Sequence, residues 1–327
     1  MLIVLKNSIR ASMLCIIILC FGCNSTAAPT KNESISICSF NIQFLGNGKS
    51  RDNHALADII KGFDIVVIQE LVAPPYPMNY PDGTPVKPDK EARLFFEKMK
   101  ENGFKYIHSD EDTGTGDKIH KNNSSTEWWV VFYKPSKVIP DSTLPNGFLA
   151  TDRSNNPLYE RVPYAFGFKT KVGNDFVLIS VHLQPGKGKK NMARRKEELN
   201  AIKAWIDKNN GKEKDFIILG DCNIENSVEL MQVTPQGYIS LNIACVPTNT
   251  NVNGKKPYDH IFYNPSYTTE LNKTAGMTII NLIDRCKPYW TSDKPYPGEP
   301  YNHNQFRKYY SDHHPVVFYM DVVEDDD

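Results

Sequence analysis

Polar side chains suited to catalysis follow a short apolar stretch of the chain. Within Phe216–Glu225, four apolar residues are followed by Gly220, Asp221 and then Asn223. Four apolar residues bounded by glycine predict a strand that is buried on both faces. Residues two apart in an extended segment point the same way, so Asp221 and Asn223 can face one site. A carboxylate and an amide suit a hard cation or a water that must be oriented. The alternative is an ordinary turn in which both cap backbone groups.

The same pattern recurs along the chain. Further polar residues at the ends of predicted strands are Asn41, Glu70, His182, Asp259, Asp312 and His313. Taken singly, Glu70 also suits a solvated strand end, His182 a core histidine, and Asp312 with His313 a capped turn. Ligands of sheet-containing folds gather at one set of strand ends, so we expect these side chains to converge. Carboxylates and amides favour Mg²⁺, Mn²⁺ or Ca²⁺ over zinc, and a histidine oriented by a carboxylate can act as an acid or base.

The order of the predicted elements indicates an α/β domain of the mixed, α+β kind. Many short strands alternate with three segments in which apolar residues recur at helical spacing. These predicted helices are Arg51–Lys61, Asp89–Asn102 and Asn191–Lys208. Strands and helices in this order predict two packed mixed sheets flanked by helices. We place a single domain at residues 34–323, between a polar leader at 24–33 and an acidic tail at 324–327.

The first residues of the chain predict export. Two basic residues precede the apolar run Met13–Phe21, which is too short to span a bilayer and suits a signal peptide at residues 1–23. Cys23 follows a small residue, as in a bacterial lipobox, and predicts a lipid anchor in the cell envelope. The alternative is cleavage near Ala27 and free secretion.

Net charge limits the partners that the chain can attract. Lys+Arg and Asp+Glu each number 38, so the net charge is zero. This balance excludes a global attraction to nucleic acid or to anionic membranes, and such binding would need a local basic patch. Lys187–Lys196 holds six basic residues and is the candidate patch. The alternative for this stretch is a solvated start of a helix.

Four cysteines follow the predicted signal peptide and would enter an oxidising compartment on export. They are Cys38, Cys222, Cys245 and Cys286. Three full pairings are open to four cysteines. We expect Cys38 and Cys222 to be core residues, because they lie in or beside predicted strands. Cys245–Cys286 is then the favoured disulfide.

Eight short motifs resemble the endonuclease/exonuclease/phosphatase superfamily, and most of all its DNase I branch. They are S-F-N-I-Q-F-L-G (39–46), D-I-V-V-I-Q-E (64–70), E-W-W-V-V-F-Y-K-P (127–135), Y-E-R-V-P (159–163), S-V-H-L (180–183), G-D-C-N (220–223), Y-D-H-I (258–261) and S-D-H-H-P-V (311–316). They follow the order of the family and cover essentially the whole mature chain. The resemblance implies a DNase I-like four-layer α/β/β/α sandwich and metal-dependent phosphoester hydrolysis.

The resemblance also implies which residues hold the metal and the attacking water. Glu70 and Asp312 would bind the ion, which we expect to be Mg²⁺, with Mn²⁺ and Ca²⁺ as alternatives. Asn41 would support the ion. Asp221 would position or deprotonate the water, and Asn223 would orient the phosphate.

The remaining implied roles concern the phosphate. His182 would contact it and pair with Glu127, and His313 would pair with Asp259. Arg161 falls where the family has an arginine that contacts the phosphate. The metal and the two histidines would then offset the charge of a pentavalent phosphorane.

The chain departs from the DNase I branch at positions that contact DNA. Val72, Gln43 and Ser125 stand where two groove-reading arginines and a tyrosine are found in that branch. These changes leave the predicted chemistry intact but count against duplex DNA as the substrate. We expect a monomeric nuclease acting on nucleic acid. A phosphatase or a sphingomyelinase-type phosphodiesterase acting on a small or lipid phosphoester is the alternative, and a non-catalytic envelope binding protein is the less favoured third reading.

Overall fold

The computed structural model of the chain describes residues 33–48, 50–115, 120, 126–271 and 276–325. The predicted signal peptide, Cys23, nearly all of the polar leader, Ser125 and the last two residues of the acidic tail lie outside these ranges. Within them, no helix is both long enough and apolar enough to cross a membrane.

Short strands are the most numerous elements in the described part of the chain. They are β1 (Ser34–Leu45), β2 (Ile65–Leu71), β3 (Met78–Asn79), β4 (Pro85–Val86), β5 (Lys105–His108), β6 (Trp128–Tyr133), β7 (Val138–Pro140), β8 (Gly147–Phe148), β9 (Tyr164–Thr170), β10 (Asp175–His182), β11 (Phe216–Asp221), β12 (Ile239–Ser240), β13 (Asp259–Tyr263), β14 (Thr278–Ile279) and β15 (Val316–Asp321). The helices are α1 (Asn53–Ile60), α2 (Lys90–Glu101), α3 (Lys189–Asn209), α4 (Ser227–Val233), α5 (Leu282–Cys286) and α6 (His303–Tyr309), with a 3₁₀ turn at Lys287–Tyr289.

Two mixed sheets form the centre of the fold. The first has the strand order β14-β15-β1-β2-β6-β5, and the second has the order β12-β13-β11-β10-β9-β7, with β8 also paired to β9. In the described residues, the parallel pairs are β1–β2 and β10–β11. A separate hairpin joins β3 to β4. Each sheet therefore has one parallel strand pair near its middle, and these two pairs end at the site described below.

Alternating side chains of the central strands fill three apolar layers. Ile37 of β1 and Ile217 of β11 pack in the layer between the sheets. Their neighbours Cys38 and Ile218 face outward, because successive side chains of a strand point to opposite faces. The outer face of the first sheet is covered by α1, α2, α5 and α6, and that of the second by α3 and α4. The predicted four-layer α/β/β/α sandwich is confirmed.

The three predicted helices are present, with ends shifted by one or two residues. Asp52 caps α1 by accepting from the Ala55 N–H, and Asp89 caps α2 by accepting from the N–H groups of Glu91 and Ala92. The sequence does not predict α4, α5 and α6, because helices of five to seven residues are too short to show an apolar period. β1 is longer than predicted and continues past Asn41.

The predicted Cys245–Cys286 disulfide is wrong. Cys38, Cys222, Cys245 and Cys286 are all free. Cys286 packs in the outer layer of the first sheet, whereas Cys245 packs against the outer layer of the second. Both sheets separate the two thiols, and a disulfide needs Cα atoms within about 7 Å. Cys38 and Cys222 are buried in the core, as predicted.

Candidate active site

The predicted site residues lie where the ends of β1 and β2 in the first sheet meet the ends of β10 and β11 in the second. Two hydrogen bonds join the sheets here. Asn41 Nδ2 donates to Asp221 Oδ2 over 3.1 Å, and His182 Nδ1 lies 2.8 Å from Glu127 Oε1. His182 and Asp221 are direct neighbours in the parallel register of β10 and β11. Residues that are 180 positions apart in sequence, such as Asn41 and Asp221, thus share one polar cluster.

Gly220 permits the close approach of the two strands. Its φ is +143°, and a Cβ added to it would lie 2.1 Å from the Val181 carbonyl oxygen. Any other residue would therefore push β11 away from β10 and move Asp221 relative to His182. Glycine is therefore required before Asp221 by the close packing of β10 and β11, and not only by the turn.

Glu70 is held through both its backbone and its carboxylate. Its own N–H donates to Glu127 Oε2 over 2.5 Å, and its Oε2 accepts from the Phe44 N–H over 2.9 Å. Its Oε1 accepts from Asn41 Nδ2 over 2.9 Å. Asn41 therefore links the carboxylates of Glu70 and Asp221 through one amide nitrogen.

Unusual backbone conformations surround these contacts. Residues near the site with positive φ are Gln43, Phe44, Glu70 and Asn223, with φ between 52° and 63°. Such values are uncommon for residues other than glycine, and they concentrate at functional sites. The β2–β6 pairing also changes register beside Glu70. This irregularity turns the Glu70 side chain toward Asn41 instead of leaving it on the regular strand face.

His182 lies between a carboxylate partner and Asp221. Arg161 Nε is 3.1 Å from the Glu127 oxygen that contacts His182, and His182 Nε2 faces Asp221 Oδ2 at 3.5 Å. Burial and Arg161 oppose a charged imidazole, but Glu127 and Asp221 outweigh them and raise the pKa of His182. Arg161 Nη1 is buried and has no hydrogen-bond partner among the described residues, so it can bind an anionic oxygen.

His313 has the same arrangement on the other side of Asp221. Its Nδ1 lies 2.8 Å from Asp259 Oδ2, and its Nε2 lies 3.4 Å from Asp221 Oδ2. Burial works against the charged form, yet Asp259 and Asp221 raise the pKa of His313 well above its ordinary value. Burial also opposes ionisation of Asp221, but His313 and His182 lower its pKa overall. The electrostatics therefore favour the ionised form of Asp221 and the protonated forms of the two histidines beside it.

Glu70 and Asp312 fit a divalent cation. Burial first, and then the charges of Asp312 and Glu127, raise the pKa of Glu70, which shows that negative charge is crowded there. Asp312 Oδ1 is buried without a hydrogen-bond partner among the described residues, and its Oδ2 pairs with Arg307 at 3.2 Å. A hard cation would neutralise these oxygens. Potential ligand atoms of Glu70, His182 and Asp221 also lie within 4.8 Å of one another.

His182 is the weakest ligand of that triad. Its Nδ1 is engaged by Glu127, and its raised pKa favours the protonated ring, which has no lone pair for a metal. The carboxylates of Glu70 and Asp312 offer oxygen donors that suit Mg²⁺ chemistry, and Asn41 orients Glu70 by donating to it through Nδ2.

Asn223 lies at the site, but some of its hydrogen-bonding groups are already used within the protein. Its N–H donates to Asp221 Oδ1 over 2.9 Å, and its Nδ2 donates to the Leu183 carbonyl over 3.0 Å. The turn expected at Gly-Asp-x-Asn is thus present, and it supports Asp221. One further N–H of the Asn223 amide can still contact a substrate oxygen.

Sequence reasoning missed a polar link between the sheets. Gln69 Oε1 accepts from Ser39 Oγ over 3.3 Å, and Gln69 Nε2 donates to Ser180 Oγ over 3.2 Å. All three residues are fully buried. The link lies one residue before Glu70 and fixes the spacing of the sheets behind the site. A glutamine at the end of an otherwise apolar strand is the signal that points to it.

The prediction that all six basic residues of Lys187–Lys196 form a surface patch is wrong for Arg195. Arg195 is fully buried, and its Nε donates to Glu229 Oε1 over 2.7 Å. Its Nη1 donates to the carbonyls of Gln184 and Gly186. Arg195 therefore holds the segment after His182 and is unavailable to a phosphate chain. The exposed lysines of this stretch are Lys187, Lys189, Lys190 and Lys196.

Several proteins of known structure share the fold of this chain. A Bacteroides thetaiotaomicron endonuclease/exonuclease/phosphatase family protein has 18% identity and a TM-score of 0.55, over 89% of this chain and 98% of that one. A mannosyl-6-phosphatase from the same organism has 17% identity and a TM-score of 0.53, over 87% and 98%. D. rerio TDP2 complexed with single strand DNA product has 15% identity and a TM-score of 0.51, over 89% and 100%.

Sequence comparison points to the same group. Curated protein sequences provide no significant match. Residues 38–313, however, match the family described as the endonuclease/exonuclease/phosphatase family, and this range includes every residue of the site described above. Members of this family are phosphoester hydrolases and typically depend on a divalent metal, for which Glu70 and Asp312 offer suitable oxygens. The match over most of its length, together with the fold, establishes that this chain belongs to the endonuclease/exonuclease/phosphatase family.

Proposed function

We propose that this protein is an exported, Mg²⁺-dependent phosphoester hydrolase that uses water as its nucleophile. One observation carries the proposal: Asp221 lies between His182 at 3.5 Å and His313 at 3.4 Å, and each histidine is backed by its own carboxylate at 2.8 Å. In this arrangement the carboxylate of Asp221 can orient a water, while the N–H groups of the two histidines can donate to an anionic phosphoryl group.

The residues divide the work of the reaction. Asp221 accepts a hydrogen bond, and then a proton, from the attacking water. The Nε2–H groups of His182 and His313 and the free Nη1–H of Arg161 donate to phosphoryl oxygens as negative charge grows on them. A divalent ion at Glu70 and Asp312, when bound, would supply Lewis-acid stabilisation of that charge. The water oxygen bonds to phosphorus as the ester P–O bond breaks, and the departing alkoxide takes up a proton and leaves as the alcohol. No covalent intermediate is needed.

A compact phosphoester is the substrate class that we favour. The sequence favours nucleic acid, which requires a basic surface along the strand. Arg195 is buried, and Arg194 donates to the backbone carbonyl oxygens of Asn156 and Pro157, so two of the six basic residues in Lys187–Lys196 are used inside the protein. A solved mannosyl-6-phosphatase shares the fold. Compact substrates need only the reaction centre and a small neighbouring pocket.

Nucleic acid is the second candidate. Four lysines of Lys187–Lys196 remain exposed, and they begin five residues after His182. D. rerio TDP2, whose structure contains a single strand DNA product, shares the fold. With Val72 buried and no arginine at that position, duplex DNA is less favoured than a single strand.

A substrate panel tests the proposal. Purified protein is incubated with DNA, RNA, sphingomyelin and phosphomonoesters in the presence of Mg²⁺, Mn²⁺, Ca²⁺ or EDTA. We expect turnover of a phosphomonoester or small diester that requires Mg²⁺ and stops in EDTA. Faster turnover of a polynucleotide at matched phosphate concentration would support the second candidate. Turnover that persists in EDTA would contradict the metal-dependent mechanism.

We also propose export with lipid attachment at Cys23, and action as a monomer. The basic and apolar pattern of residues 1–23 supports export and the lipid anchor. In a bacterial host, replacing Cys23 by serine should move the protein from the membrane fraction to the soluble envelope fraction. An unchanged membrane fraction would contradict the lipid anchor.

A further inference from the structure

A small polar cavity adjoins the reaction centre on the side of Asp312 and His313. Its volume is about 240 Å³. Besides Asp312 and His313, its walls include Lys187, Asn251, Tyr258 and His303 of α6. We call this cavity the side pocket. A group attached to a phosphate at the reaction centre would enter it directly, because two of its walls belong to the site itself.

The loop that forms the side pocket is fixed in place. Asn249 Oδ1 accepts from the Lys256 N–H and Asn249 Nδ2 donates to the Gly254 carbonyl, each over 2.8 Å. The Thr250 N–H donates to the Asp312 carbonyl over 2.8 Å. Asn249 and His313 also form a β-bridge. The pocket is therefore built before a ligand arrives, and binding would not have to order the loop.

Charges in the side pocket largely cancel. Lys256 pairs with Glu225 at 2.5 Å, and Asp312 pairs with Arg307 at 3.2 Å. Among the described residues, only Lys187 lines the pocket as a cation without an ion pair. Such a balance suits an uncharged polar group better than a second anion, for which several free cations would be expected.

Free hydrogen-bonding groups line the same cavity. Among the described residues, the Tyr258 hydroxyl and the Lys187 ammonium have no hydrogen-bond partner. Tyr258 also presents its ring next to His313, with 5.7 Å between ring centroids. Asn251 Oδ1 accepts from the Asn253 N–H at 3.2 Å, which leaves its amide N–H groups available. His303 Nδ1 contacts the Tyr301 hydroxyl, so its Nε2 is available. The side pocket thus offers hydrogen-bond donors, acceptors and an aromatic ring, which together suit an alcohol with several hydroxyl groups.

The size of the side pocket narrows the class of ligand. At about 30 Å³ for each water, 240 Å³ equals about eight waters, which is room for one sugar-sized ring. It lies below the range of about 300–1,000 Å³ that is usual for drug-sized ligands. We propose that the side pocket binds the hydroxyl-rich, sugar-like alcohol of a compact phosphoester. This inference rests on the proposed phosphoester hydrolysis and names its substrate class.

Two matched substrates test this inference. A hexose 6-phosphate and cyclohexylmethyl phosphate both carry a phosphate on a ring-bearing primary alcohol, but the second has no hydroxyls. Released phosphate gives kcat/KM for each in Mg²⁺. We expect the wild type to prefer the hexose ester by at least tenfold. Tyr258→Phe and Lys187→Ala should each lower that preference by about five- to tenfold, the effect of one lost hydrogen bond.

Lys255→Ala is the matched control for Lys187→Ala. Lys255 is exposed on the same loop and does not line the side pocket. Its replacement should leave kcat/KM for both esters unchanged. A wild type that shows no preference for the hexose ester, or a preference that survives both pocket variants, would overturn the inference while leaving the proposed hydrolysis intact. Absence of Mg²⁺-dependent turnover on any phosphoester would contradict the proposed function and, with it, this inference.

Discussion

The charged form of His313 is favoured because two carboxylates face its two ring nitrogens. Asp259 holds Nδ1 at 2.8 Å, and Asp221 faces Nε2 at 3.4 Å. These contacts overcome the cost of burial and raise the pKa of the ring. A neutral partner at position 259 would remove one of the two charges and loosen the orientation of the ring.

We therefore expect Asp259→Asn to lower kcat by about 100-fold, the lower end of what a positioned acid or base contributes, with little change in KM. The pKa of His313, followed by NMR, should fall in the variant. The double variant Asp259→Asn with His313→Ala should be no slower than His313→Ala alone, because Asp259 acts through the histidine. Additive losses would show that Asp259 has a separate role.

The pairing of these side chains could be anticipated from sequence only through the family motifs. Spacing alone placed carboxylates and histidines at strand ends, but it could not say which carboxylate meets which histidine. His182 and Glu127 are 55 residues apart, and their contact depends on how two sheets pack. The left-handed backbone at Glu70 was also invisible, since a positive φ there follows from the shift in the β2–β6 register.

At the scale of elements, α3 anchors two segments that flank the site. Glu198 accepts from the Glu160 N–H at 2.7 Å and from the Gln184 N–H at 2.8 Å. Glu160 precedes Arg161, and Gln184 follows His182 by two residues. One buried carboxylate thus fixes the backbone beside two predicted phosphate-binding residues.

Arg195→Ala should destabilise the fold strongly, since it would leave Glu229 buried without its partner. Breaking a buried ion pair costs about 3–5 kcal/mol. Urea unfolding measures the loss, and Lys196→Ala, an exposed neighbour, should change the free energy of unfolding by less than about 0.5 kcal/mol. If Arg195→Ala has the same free energy of unfolding as the wild type, the structural role of Arg195 is wrong. Arg195 would then again be a candidate for the phosphate-binding patch.

Glu198 should make stability depend on pH. Burial raises its pKa to about 7 from 4.5. The protonated form is thus favoured in the folded state, and its stabilisation is complete below the unfolded pKa and is lost as pH rises through about 7. Relative to Glu198→Gln, the wild type should lose up to about 3 kcal/mol of unfolding free energy between pH 4.5 and pH 8. If the free energies of unfolding of the two proteins change with pH in parallel, Glu198 does not contribute this pH dependence.

The elements themselves were largely predictable. Apolar runs such as Ile65–Ile68 identified the central strands, and helical spacing identified α1, α2 and α3. The direction of Arg195 was not predictable, because helix position alone does not reveal a buried acidic partner on α4. The positions of Cys245 and Cys286 were likewise not predictable, because their separation by both sheets depends on how the sheets pack.

At the scale of the whole molecule, exposed lysines decide between a polymer and a compact substrate. Lys189 and Lys190 lie exposed at the start of α3. If a strand of nucleic acid crosses them, Lys189→Ala with Lys190→Ala should reduce the log–log salt slope of polymer cleavage by about one to two units. Our preference for a compact substrate predicts no change in that slope, measured from 50 to 200 mM salt. A reduced slope would favour the nuclease candidate.

The central claim is that a divalent ion at Glu70 and Asp312 enables phosphoester hydrolysis at Asp221. The most direct measurement is a Mg²⁺ titration of the wild type and of Glu70→Gln, following both turnover and Tm. We expect EDTA to abolish wild-type turnover and Mg²⁺ to restore it while raising Tm. Glu70→Gln should fold, lose the Mg²⁺-dependent rise in Tm and turn over at least about 100-fold more slowly. Full activity of Glu70→Gln with an unchanged Mg²⁺ titration would contradict the claim.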